Sequence, residues 1–193
     1  MANVNKPFGL RPIGNLSATG AQKQFSYRIA SGQAGAIFQG DLVTIVNGFL
    51  VKFDNTDHTA AVGVFNGCNY VDPTSGKPTF KNFYPGSITV TSGIISAEVL
   101  DDPNQLFLIQ AEGTPTQAAI GKNADITAAT AGSTVTGVSA MTVGTSFVNN
   151  ADRNLKVVGL FETPGNALGE FAVLVVKINE HMYGSAGVVG LGT

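Results

Sequence analysis

Between residues 40 and 67 the chain reads GDLVTIVNGFLVKFDNTDHTAAVGVFNG. Two apolar, β-branched runs, residues 42–46 and 49–53, flank Asn47-Gly48. A type I′ turn needs positive φ at both central residues, which Asn-Gly supplies at low cost, so the runs should fold back on each other as a hairpin. The polar cluster Asp54-Asn55-Thr56-Asp57 then turns the chain into a third run, residues 60–65. The stretch reads as a β-meander. Alternation along the second run places Phe49, Val51 and Phe53 on the core face and Leu50 and Lys52 on the other.

The same punctuation continues. Strand patterns cover residues 25–30, 67–71, 79–84, 87–91, 94–100, 105–111, 155–162 and 168–180. Turn clusters at 72–78, Pro85-Gly86, Ser92-Gly93, 101–104 and 163–166 separate them. Residues 134–143 offer a thin strand, and residues 113–121 a single helical turn. Short strands at spacings of about 8–12 residues point to an all-β sandwich or barrel-like body. The weak middle near 113–123 divides it into two β-subdomains, residues 25–112 and 113–182. An extended N-terminal arm, residues 1–24, precedes them, and a Gly-rich C-terminal tail, residues 183–193, follows.

The arm carries Pro7 and Pro12, which favour extended backbone, and no period of 2 or 3.6. Phe8, Leu10 and Ile13 are spaced apolar anchors beside Arg11. These four are the candidate contacts to a neighbouring subunit. On this reading, deleting residues 1–14 leaves the β-body folded and weakens attachment.

Composition narrows the function. Only 12% of the 193 residues are charged, against about 25% on average. So sparse a charge leaves weakly polar and apolar surface, which an oligomer or assembly partner would cover. The net charge is −2, and no Lys/Arg block exists, which disfavours nucleic acid as a partner. Residues 171–176 form the longest apolar run, too short for a membrane span. The N-terminus lacks the apolar core of a signal peptide, so the chain is expected to be synthesised and retained in the cytoplasm. The single cysteine, Cys68, makes neither an internal disulfide nor a cysteine zinc site, and sits in an apolar strand pattern as a small core residue.

Catalytic signatures are missing. His58 and His181 are far apart in sequence, with no paired histidine motif. No nucleophile elbow, Walker loop or dinucleotide fingerprint occurs, so no catalytic, metal or cofactor residue is assigned. Asp54/Asp57 and Asp101/Asp102 lie in turn signatures, where aspartate accepts backbone N–H groups. A calcium or acid–base role is the sharper alternative, and a glycosidase pair between distant acids stays open. Arg11, Arg28 and Arg153 are the three guanidinium groups, with isolated surface ion pairs the commoner outcome.

The run MANVNKPFGLRPIG, then SYRIASG, IFQGDLVTI, GVFNGCNYVD and FYPG, resembles head decoration (capsid cement) proteins of tailed bacteriophages. Residues 42–65 are similar in layout to the β-tulip domain of the lambda-type family. The resemblance covers the first half of the chain. It implies a non-enzymatic virion protein on the exterior of an icosahedral capsid, contacting the major capsid protein, often as a homotrimer, and holding the expanded shell against genome pressure.

Two other readings stand beside it. One is another virion part, such as a tail tube, fibre or head–tail connector. The other is a small carbohydrate-binding or hydrolytic β-sandwich, which the absence of Trp weakens.

Overall fold

A computed structural model describes residues 3–17, 22–56, 60–127 and 132–184. The strands are β1 (Arg11–Asn15), β2 (Gln24–Ile29), β3 (Leu42–Val46), β4 (Phe49–Lys52), β5 (Gly63–Val71), β6 (Pro78–Lys81), β7 (Ile95–Leu100), β8 (Gln105–Gln110), β9 (Asn123–Ala124), β10 (Ile126–Thr127), β11 (Thr142–Val143), β12 (Leu155–Leu160) and β13 (Val173–Ile178). The helical turn foreseen in the middle is a 3-10 turn, Gln117–Ala119. No α-helix occurs among the described residues. The chain is all-β.

Two antiparallel sheets make a sandwich-like body. Sheet I runs β1-β8-β13-β12-β9, and sheet II runs β2-β7-β5-β3-β4 with β6 added beside β5. β10 and β11 form a short ribbon. The outer strands of sheet II, β2 and β4, approach each other, so this sheet curls towards a barrel.

Two apolar cores result. One fills the curl of sheet II with Val43, Leu50, Phe65, Cys68, Tyr70, Tyr84, Ile95 and Val99. The other lies between the sheets and includes Leu10, Leu42, Phe53, Val64, Leu100, Phe107, Leu174 and Val176. Neighbouring residues on one strand therefore serve different cores: Leu42 and Val43, Val64 and Phe65, Val99 and Leu100. That explains the near-continuous apolar runs, which alternation alone would not produce.

The Asn47-Gly48 hairpin forms as its chemistry requires, with φ of 51° and 82° and Val46 opposite Phe49. Its facing differs from the expectation. Leu50 is fully buried in the curl, whereas Phe49 is 41% exposed. Phe53 is buried as expected, but in the core between the sheets. Alternation groups side chains by face; it does not say which face is covered.

Four other differences follow from tertiary context. The runs at 60–65 and 67–71 share the nine-residue strand β5, bent by a bulge between Phe65 and Gly67. Residues 87–91 form no strand; Ile88 and Val90 pack on the curl's core from an irregular segment. The thin strand sought in 134–143 shrinks to β11. The sheets also do not divide at residue 112, since β8 lies in sheet I between β1 and β13.

Candidate functional site

The described arm does not project. Asn3 donates to the Ala167 and Glu170 carbonyls at 2.9 and 2.8 Å. The buried Gln110 amide donates to the Val4 carbonyl and accepts the Lys6 N–H, at 2.8 and 2.9 Å. Residues 11–15 then pair with β8 as the edge of sheet I. Leu10 is 2% exposed, inside the core between the sheets, and its N–H donates to the Gly40 carbonyl at 2.9 Å. A buried Leu10 presents nothing to a neighbour. Phe8 is half-buried, with the Arg11 guanidinium 4.8 Å from its ring centroid, a cation–π pair at the surface. Ile13 stands out at 41% exposure, on the bulge between Pro12 and Gly14.

A second surface escapes sequence reasoning. Phe80 on β6 is 61% exposed and Ile94 is 50% exposed. With Val71 and Pro78 they line a shallow groove of about 470 Å³. No described lining residue is charged. Among the described residues, β6 pairs only with β5, so its other edge leaves backbone groups open to a further strand. The one signal in the sequence is Pro78, because proline within a sheet is confined to edges, strand starts and bulges.

The acidic turns are engaged by backbone N–H groups and by neighbouring side chains. Asp54 accepts the Thr56 N–H at 2.7 Å; Asp57 and His58 lie outside the described residues. Asp101 accepts the Tyr27 hydroxyl at 2.7 Å. Burial, then hydrogen bonds to Tyr183 and Asp101, push the Tyr27 phenol above its ordinary value. Asp102 accepts the Asn104 N–H at 2.8 Å and the Asn15 amide at 2.7 Å. Burial opposes its charge, but those two bonds and the Lys23 charge outweigh it, holding the carboxyl below its ordinary 3.8.

A depressed carboxyl gives stability that is complete above the ordinary value and lost as pH falls through the depressed one. Asp102→Asn is expected to cost about 1 kcal/mol at neutral pH, the scale of a lost charge-assisted bond. The difference should shrink as pH falls below the ordinary 3.8 and through the depressed value, where wild type is protonated too. Urea unfolding at neutral pH and at a series of pH values below 3.8 checks it.

Arg153 pairs with Asp125, and Arg28 is exposed on β2. Cys68 is fully buried, and burial, against the Lys81 charge, pushes its thiol up to about 12. A thiol so raised is a core side chain and not a nucleophile. No group of three His, Cys, Asp or Glu suited to a metal occurs among the described residues. What the arrangement offers chemically is contact: an open strand edge, an uncharged groove and a partly exposed arm. Comparisons with protein-family models, curated proteins and solved structures each find no match for this chain.

Proposed function

We propose that the chain is a structural virion protein of the decoration or cement type, bound to the outside of an icosahedral phage capsid and stabilising the expanded shell. The observation that carries this reading is the uncharged groove of Phe80 and Ile94 beside the open edge of β6. Burying one such aromatic side chain is worth about 1.5–3 kcal/mol, and an added strand contributes main-chain hydrogen bonds. Each contact is modest, but repetition over a symmetric lattice multiplies it. In this reading the chain works by binding and not by catalysis. Its partners are the major capsid protein and further copies of itself, in a trimer. Synthesis is in the host cytoplasm, and the final location is the capsid exterior.

Two measurements test it. Quantitative mass spectrometry of purified particles is expected to give on the order of one copy per coat subunit, since symmetric shells repeat every contact. A far lower ratio would place the chain in a tail, fibre or connector, and absence from particles would reject every virion reading. Phe80→Asp should leave the melting temperature within about 2 °C of wild type, because surface changes are usually worth under about 0.5 kcal/mol. Its co-sedimentation with capsids should fall about tenfold or more, the equivalent of about 1.4 kcal/mol. Undiminished co-sedimentation would remove the groove from the contact.

A further inference from the structure

After β13 ends at Ile178, the chain leaves sheet I and meets the residues that lead into β5 of sheet II. Ala61 donates its N–H to the Glu180 carbonyl at 2.9 Å and accepts the Met182 N–H at 2.7 Å. The two segments run parallel at this bridge, with Ala61 opposite His181. Ala61 also belongs to the core between the sheets. Residues 180–184 are therefore a clasp that ties the last strand of sheet I to the lead-in of the central strand of sheet II.

His181 closes the clasp. It is only 5% exposed. Its Nδ1 accepts the Tyr183 N–H at 3.1 Å, and its carbonyl accepts the Gly184 N–H at 3.0 Å. The Tyr183 side chain hydrogen-bonds Tyr27, whose hydroxyl donates to Asp101 at 2.7 Å. One imidazole lone pair thus orients the residue that reaches across to β2.

That bond exists only for the neutral ring. An imidazole that accepts at Nδ1 carries its proton on Nε2, and this Nε2 is buried without a hydrogen-bond partner. A second proton must go to Nδ1, where it would point at the Tyr183 N–H, another donor. The charged ring would then have one buried donor unpaired and the other opposed, and an unsatisfied buried donor costs more on a charged group.

Charged groups surround the ring on several sides. Asp101 and Asp102, in the turn between β7 and β8, favour the cation, and Lys177 on β13 opposes it. Lys156 on β12 lines the same groove as His181. Burial is the strongest influence, and the balance holds the ring below its ordinary 6.5. The two aspartates are engaged by Tyr27, Asn15 and Asn104.

We propose that His181 is an acid-released catch: when the ring takes a proton at Nδ1, the Tyr183 N–H is expelled and residues 182–184 let go of Ala61 and Tyr27. The proton enters during local opening, so the closed ring needs no path to solvent. A ring with a lower pKa in the closed state than in the open state disfavours the proton when closed. The clasp is therefore at full strength above the ordinary 6.5 and weakens as pH falls through and below it. The catch is independent of the capsid reading.

Hydrogen exchange of the Met182 and Tyr183 amides in the full chain, corrected for the intrinsic effect of pH, reads the opening. Protection is expected to fall about tenfold between about pH 7.5 and about pH 5. His181→Gln, neutral at both, should be equally protected at both. ¹⁵N NMR of the ring should show an unprotonated Nδ1 at neutral pH and a midpoint below 6.5. The signal is assigned with His58→Gln, since His58 is the only other histidine. The ring titration decides by itself should His181→Gln not fold. Constant protection in wild type, an equal fall in His181→Gln, a protonated Nδ1 at neutral pH, or a midpoint at or above 6.5 each overturns the proposal.

Discussion

Deleting residues 1–14 is expected to lower the stability of the whole protein, and not to trim a dispensable arm. The deletion removes Leu10 from the core between the sheets and most of β1 from the β8 edge. It also strips Gln110 of its bonds to Val4 and Lys6, leaving a 3% exposed side-chain amide short of partners. Against this, the shorter chain has fewer residues to order, about 1–2 kcal/mol each. Leu10→Ala is therefore the cleaner measurement, because it changes the core and leaves the backbone in place. It should cost about 2–5 kcal/mol, the range for truncating a buried leucine. Thermal and urea unfolding of both variants checks this. Wild-type stability in Leu10→Ala would mean that the arm packs elsewhere in solution.

Gly63→Ala should be the second severe change. Gly63 opens β5 at the point where that strand is held between β3 and β7. A Cβ placed there would lie 2.2 Å from the Leu100 carbonyl oxygen and 2.9 Å from the Val99 Cγ1. A flexible side chain can swing aside, but the Leu100 backbone moves only if β5 and β7 separate. Separation would break the ladder from Val64–Leu100 onwards and open both cores, since Val64 and Leu100 serve one and Phe65 and Val99 the other. The expected cost is about 3 kcal/mol, the upper part of the range for overpacking. For a chain of this size that is roughly a 10 °C fall in melting temperature. Gly159→Ala is the matched control. Its Cβ meets nothing within 4 Å, so the change should stay within about 0.5 kcal/mol. Equal melting of the two variants would refute the tight approach at Gly63.

The parts of the fold that were legible in the sequence are those set by local chemistry. Asn47-Gly48 names its own turn because few residues tolerate positive φ twice in succession. Asp72 announces its loop because its carboxylate can accept the Thr74 and Ser75 N–H groups, as it does at 2.7 and 3.0 Å. What stayed hidden depends on distant residues. Leu50 and Phe49 differ in burial because sheet II curls, and the curl is a property of five strands together. Leu10 is internal because β8 and Gly40 receive it, and nothing within the arm encodes that. The candidate contact groove was hidden for the opposite reason. Phe80 and Ile94 look like ordinary core residues of their strands, and only the one-sided pairing of β6 leaves them outside.

The order of sheet I has a consequence for how the protein is made. Arg11 lies opposite Leu108, so roughly a hundred residues must be translated before β1 has a partner. At about 5–20 residues per second, that is a wait of roughly 5–20 s. β8 then needs β13, the last strand of the sheet in chain order, and for several seconds more its apolar edge faces the ribosome's surroundings unpaired. During that interval many nascent copies on one message are close together, each offering the same open edge. Synthesis at low temperature or on slow codons near residues 110–155 should therefore favour tangled chains over folded ones, through timing alone and with no change in the native protein.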